Sequence, residues 1–127
     1  MDGKGGSCGD NAKWTFVDGV LTITGWGATE KFVRNTQKDT INYPWADFKD
    51  EITKVVIGEG ITCLNNYAFY NCKNIRSVSL PSTLNELAYG VFQGTSKLTS
   101  VTIPANVKKL GSQVFKGSGL NTITFKG

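Results

Sequence analysis

Apolar residues recur every 23 positions through the second half of this 127-residue chain, and that period limits what it can fold into. Ile57, Leu80 and Ile103 form one column, and Ile61, Leu84 and Val107 a second. Leu64, Leu87 and Leu110 form a third; Phe69, Phe92 and Phe115 a fourth, with Ala68, Val91 and Val114 keeping the same step. The copies run 52–74, 75–97 and 98–119, the last one residue shorter, and Leu120-Asn121-Thr122-Ile123-Thr124-Phe125 opens another. One such copy cannot enclose its own apolar set. Stacked copies bury it between neighbours, so the period predicts a mostly β solenoid of short parallel strands.

Each copy opens on a hexad with apolar residues at its first, fourth and sixth positions, as in Ile75-Arg76-Ser77-Val78-Ser79-Leu80 and Leu98-Thr99-Ser100-Val101-Thr102-Ile103. The last four residues alternate with period two, the signature of a half-buried strand. Pro81 and Pro104 follow, with Gly58 in that place in the first copy. Proline has no N–H to give a ladder, so the strand ends there. The chain then buries Leu84 or Val107, and next Leu87 or Leu110. It closes through Ala68-Phe69, Val91-Phe92 or Val114-Phe115 and a turn at Asn71, Gly94 or Gly117. Phenylalanines are expected along the wall opposite the strands.

The hexad, the proline and the small-residue–Phe pair resemble the BspA-like leucine-rich repeats of bacterial cell-surface proteins. The copy at 52–74 follows that pattern down to Ala68, Phe69 and Cys72, departing at Gly58. The run from Cys8 to Thr15, the strand Leu21–Gly25 and Pro44-Trp45 are similar to the leader ahead of many such arrays, with Trp26 between Gly25 and Gly27. The resemblance implies a secreted or cell-surface module for recognition and adhesion, binding a protein such as a host matrix component.

The chain is expected to divide into a disordered tail at 1–7, an N-terminal cap at 8–51 and leucine-rich repeats at 52–127. Within the cap, Trp14-Thr15-Phe16-Val17 and Val20-Leu21-Thr22-Ile23-Thr24 flank Asp18-Gly19, a strong hairpin signal. Alternation puts Trp14 and Phe16 on one face of the first strand, and Leu21 and Ile23 on one face of the second. Such a hairpin suits a lid on the first repeat, because terminal units of a stack cover its open end. Tyr43-Pro44-Trp45-Ala46-Asp47-Phe48 reads as a turn entering a short helix. The tryptophans Trp14, Trp26 and Trp45 either plug the core or offer a carbohydrate platform, the plug being the commoner use of aromatics.

Chemistry is scarce. The chain has no histidine, which removes the commonest general base and metal ligand. Cys8, Cys63 and Cys72 make an odd set without C-x-x-C spacing, so neither zinc nor a full disulfide framework is indicated. Cys72 falls in the column of Thr95 and Ser118, a tight buried turn, while Cys63 shares a column with Glu86 and Lys109 and is expected to face outward. Asp47, Asp50 and Glu51 are a lone acidic group on a solvated surface, not a paired acid and base. No catalytic residue, cofactor or metal is expected, and the chain is read as no enzyme.

Charge is uneven: residues 1–74 hold eight Lys/Arg and nine Asp/Glu, net −1, and residues 75–127 hold six Lys/Arg and Glu86, net +5. The lysines follow the repeat instead of clustering with aromatics, so nucleic acid is not expected. No apolar run is long enough to insert in a membrane. The small polar start, Asp2-Gly3-Lys4-Gly5-Gly6-Ser7, is no export signal, so one is expected to have been upstream.

The remaining candidate is the strand face. Positions three and five of each hexad should project from it: Lys54 and Val56, Ser77 and Ser79, Ser100 and Thr102, Thr122 and Thr124, with Arg76 beside them. Stacked strands would make two rows of hydroxyls, either simply suited to exposed sheet positions or a shallow polar surface for a protein or glycan. Alternatives are a structural segment of a longer array, self-associating end to end through an uncapped C-terminal repeat, and a carbohydrate-binding module using the cap tryptophans.

Overall fold

A computed structural model describes residues 3–126. The first elements are strands β1 (Lys4–Ser7), β2 (Ala12–Val17) and β3 (Val20–Gly25), then two-residue strands β4 (Gly27–Ala28), β5 (Arg34–Asn35) and β6 (Thr40–Ile41). After a 3₁₀ segment, Ala46–Glu51, come β7 (Lys54–Ile57), β8 (Ile61–Leu64), β9 (Ser77–Ser79), β10 (Glu86–Leu87), β11 (Ser100–Ile103), β12 (Lys109–Leu110) and β13 (Thr122–Phe125).

The β2–β3 hairpin turns on Asp18 and Gly19, both at positive φ (50° and 83°), as a tight turn matched to strand twist requires. Trp14 lies opposite Ile23 and Phe16 opposite Leu21, all four buried. β3 then pairs in parallel with β7, Leu21 beside Val55 and Ile23 beside Ile57, and β7 pairs with β9 at a constant offset, Lys54 beside Ser77 and Val56 beside Ser79. One sheet therefore runs β1-β2-β3-β7-β9 from the hairpin into the repeats.

The tail expected to be disordered over 1–7 is corrected for its described part. Lys4–Ser7 pairs antiparallel with β2, Gly6 opposite Trp14. Gly5 and Gly6 let backbone lie against the tryptophan: a Cβ on Gly5 would sit 2.9 Å from the Trp14 carbonyl oxygen, and one on Gly6 3.2 Å from the indole nitrogen. Lys4 Nζ completes the cover, 4.6 Å above the Phe48 ring.

A second parallel sheet, β4-β8-β10-β12, was not anticipated. Cys63, Glu86 and Lys109 lie side by side in it, as do Leu64, Leu87 and Leu110. On a third side, backbone N–H groups of Tyr67, Phe69 and Asn71 donate to the carbonyls of Tyr89, Val91 and Gln93; those of Gly90, Phe92 and Gly94 donate to Ser112, Val114 and Lys116. Reaching across needs left-handed backbone at matching positions: Tyr67, Gly90 and Gln113 have φ of 63°, 65° and 65°, and Asn71, Gly94 and Gly117 follow at 57°, 82° and 75°. The phenylalanine column stacks inside this wall, Phe69–Phe92 at 5.6 Å and Phe92–Phe115 at 5.8 Å with ring planes within 9°.

Trp45 extends that column at 5.5 Å from Phe69. Its indole N–H donates to the Ala68 carbonyl at 2.9 Å, and Trp14, Phe32 and Tyr43 pack round it. The segment after Pro44 forms 3₁₀ turns broken at Phe48 (φ −129°), which turns that ring onto Trp14 and Phe16 instead of continuing a helix.

Packing loosens at the last copy. Leu110, expected to be buried like Leu64 and Leu87, is 48% exposed, because no further copy covers it among the described residues. Ile123 and Phe125 are likewise exposed.

Candidate functional site

Alternation in β7, β9, β11 and β13 places eight of the nine expected site residues on the outer face, and Arg76 stands just before β9. Lys54, Arg76, Ser77, Ser79, Ser100, Thr102, Thr122 and Thr124 are exposed and Val56 is half-buried. The rows are built by register: Lys54 abuts Ser77 and Val56 abuts Ser79, while Ser100 abuts Thr122 and Thr102 abuts Thr124. The hairpin adds to them, since Val20 lies beside Lys54 and Thr22 beside Val56, with Thr15 opposite Thr22. Thr15 and Thr22 were missed, although the alternation that paired Trp14 with Phe16 also set them outward.

The rows are not continuous. No hydrogen-bonded ladder joins β9 to β11, so the face divides into the five-stranded sheet and the β11–β13 pair. An open groove of about 540 Å³ lies at the division. It brings Ser79 and Thr102 together with Glu59, Ser82, Asn106 and Lys126, above Val78 and Leu80; the other seven expected residues lie outside it. The groove's polar rim is internally braced. The Glu59 carboxylate accepts from the Ser82 N–H at 2.8 Å and the Ser82 hydroxyl at 2.5 Å, and Asn106 donates to the Ser82 carbonyl at 2.9 Å. Those donors hold the Glu59 carboxyl below its ordinary pKa.

The cysteines offer no activated nucleophile. All three are free; Cys8 and Cys72 are buried, while Cys63 is half-buried instead of fully outward. Burial pushes the Cys8 thiol up to about 12, aided by the Glu30 charge, and the Cys72 thiol to about 12. Burial together with Glu86 raises Cys63 to about 11. Each stays protonated, the opposite of what nucleophilic attack needs. Cys72 instead donates to Tyr43, whose hydroxyl donates to the Tyr70 carbonyl at 2.7 Å. Thr95 fills the equivalent turn one copy on, its hydroxyl donating to the Phe92 carbonyl at 2.7 Å.

Of the three tryptophans, two fail as a carbohydrate platform. Trp14 and Trp45 are buried in the aromatic core and present no face to a ligand; Trp26 is 63% exposed. Among the described residues there is no group of three metal-ligating side chains and no helix long and apolar enough to cross a membrane.

Comparison with known proteins places this architecture. The chain is similar to a crystal structure of a leucine-rich repeat protein from Eubacterium ventriosum, with a TM-score of 0.76 at 22% identity, over 99% of this chain and 40% of that one. It is similar to another from Bacteroides capillosus, with a TM-score of 0.60 at 22% identity, over 97% of this chain and 99% of that one. It also resembles the pneumococcal vaccine antigen PcpA, with a TM-score of 0.50 at 13% identity, over 95% of this chain and 51% of that one. These likenesses show a mostly β repeat fold. No curated protein matches the chain. The family model described as BspA type leucine rich repeat region (6 copies) matches residues 42–127. With most of its length matched and its repeats in register, the chain belongs to the BspA type leucine-rich-repeat family.

Proposed function

We propose that the outer strand face is a non-catalytic recognition surface for a protein, centred on the groove between β9 and β11. In this reading the molecule is a solenoid of 23-residue copies with residues 8–51 as its N-terminal cap, displayed outside the cell or on its surface. The observation that carries it is the groove's composition: Val78 and Leu80 at the base, Ser79, Thr102, Glu59, Ser82, Asn106 and Lys126 at the rim. An apolar floor within a polar rim is the anatomy of protein interfaces. Family membership supports the reading, as does the likeness to a pneumococcal antigen. The absence of histidine and the protonated thiols favour binding over catalysis.

Ser77→Glu, Ser100→Glu and Thr102→Glu together test it. All three side chains are exposed, so the charges should leave the melting transition within about 0.5 kcal/mol of the parent. Binding to a panel of immobilised extracellular-matrix proteins should fall by about 100-fold or more, since unmatched charge in an interface core costs several kcal/mol. Equal binding by parent and variant removes the site.

Self-association is a second reading, favoured by the exposed Leu110 on the last copy and Ile123 and Phe125 in the strand that follows it. Phe125→Glu would then convert a concentration-dependent sedimentation profile into that of a monomer. A parent that is monomeric at high concentration contradicts this reading.

A further inference from the structure

We infer that Trp26 is the stacking platform of a second site, one that binds a neutral glycan. Of the three tryptophans Trp26 alone is exposed, at 63%, where Trp14 and Trp45 are buried. Such a large apolar surface in water is held there by construction. Gly25 and Gly27 flank it at φ of 107° and 79°, and the backbone N–H of Trp26 donates to the Asn11 carbonyl at 3.1 Å. A Cβ on Gly27 would meet nothing within 4 Å, so that glycine serves backbone conformation and not packing.

The indole is oriented as well as exposed. With the Asn11 amide assigned by its hydrogen-bonding partners, its oxygen accepts from Trp26 Nε1 at 3.2 Å and its nitrogen donates to the Asp10 carbonyl at 3.2 Å. A side chain fixed before binding loses little rotamer freedom on contact, which favours affinity.

Trp26 stands between two open grooves that share it with Asp10 and Asn11. One, of about 320 Å³, adds Ser7, Lys13 and Thr24; the other, of about 250 Å³, adds Glu30. A sugar ring presents an apolar C–H face and a rim of hydroxyls. The negative face of an indole attracts those polarised C–H groups. The Asp10 and Glu30 carboxylates accept from hydroxyls, while Asn11, Lys13 and Thr24 supply donors. The two carboxylates outnumber Lys13, so the linings carry net negative charge and disfavour an acidic glycan; the ligand class is neutral. A quaternary ammonium needs several aromatic walls, and the lining of these grooves has only this one. None of the residues from Lys54 to Thr124 assigned to protein recognition lies in either groove.

The test is tryptophan fluorescence of the whole chain titrated with cello-, malto-, manno- and xylo-oligosaccharides, with heparin oligosaccharide and tetramethylammonium as comparators. One or more neutral oligosaccharides should shift the emission, and Trp26→Ala should weaken binding by about tenfold or more in calorimetry while the fold survives. Trp26→Phe should bind at an intermediate level, because it keeps a smaller face and loses the Asn11 bond. The Ser77, Ser100 and Thr102 glutamate variant should respond like the parent, which keeps this site separable from the strand face. A flat response across the neutral panel, full binding by Trp26→Ala, or preference for heparin or tetramethylammonium overturns the inference.

Discussion

Trp45→Ala should destabilise the chain by at least about 4 kcal/mol in urea denaturation, a large share of the roughly 5–15 kcal/mol of a typical domain. Three losses add. The ring is fully buried, so its removal leaves a cavity among Trp14, Phe32, Tyr43 and Phe69. Its stacking on Phe69 joins the hairpin region to the phenylalanine column, and that contact disappears. The Ala68 carbonyl, which accepts from the indole at 2.9 Å, loses its partner in a buried place. Trp45→Phe separates the terms: it refills most of the space and loses the hydrogen bond, so it should cost about 1–3 kcal/mol. A loss below about 2 kcal/mol for Trp45→Ala would mean that the two parts of the core are not joined there.

Gly60→Ala should cost about 3 kcal/mol or more, for two reasons that act together. Gly60 has φ of 110°, where side chains are strained, and an added Cβ would collide with the Gly25 carbonyl. The position cannot shift freely. Its N–H donates to the Thr83 hydroxyl at 2.9 Å, and its carbonyl accepts from Gly27 at 3.0 Å. Gly60 is thus where the turn after β7 is pressed between the hairpin's exit and the next copy. Gly27→Ala is the control: its φ of 79° carries a conformational penalty, but its Cβ finds open space, so about 1 kcal/mol is expected. Equal melting shifts for the two variants would show that close approach is not what Gly60 serves.

Several features of the fold were legible because burial writes them into side chains. The parallel pairing of Lys54 with Ser77 follows from the spacing of Ile57 and Leu80, and the hairpin from Asp18-Gly19 between alternating strands. Other features are held by backbone, which leaves little trace. The second sheet passes through Cys63, Glu86 and Lys109, a column with no common chemistry. The edge strand at Lys4–Ser7 resembles a linker because its glycines are there to lie on Trp14. The left-handed turns are filled by Tyr67, Gly90 and Gln113, so only one of the three positions announces itself as glycine. The outward rows were readable residue by residue, whereas the break between β9 and β11 was not, since a missing ladder changes no side-chain pattern.

The copies are bonded to one another in register on the turn side as well as through the strands. Native-state hydrogen exchange resolved to single amides reads this directly. The N–H groups of Tyr67, Phe69 and Asn71, and of Gly90, Phe92 and Gly94, donate to the following copy. Those at Gln113, Phe115 and Gly117, one step on, find no acceptor among the described residues. The six should exchange at least about 100-fold more slowly than the three, as amides that open only with the core do. Equal and rapid exchange at all nine would contradict the register of the stack.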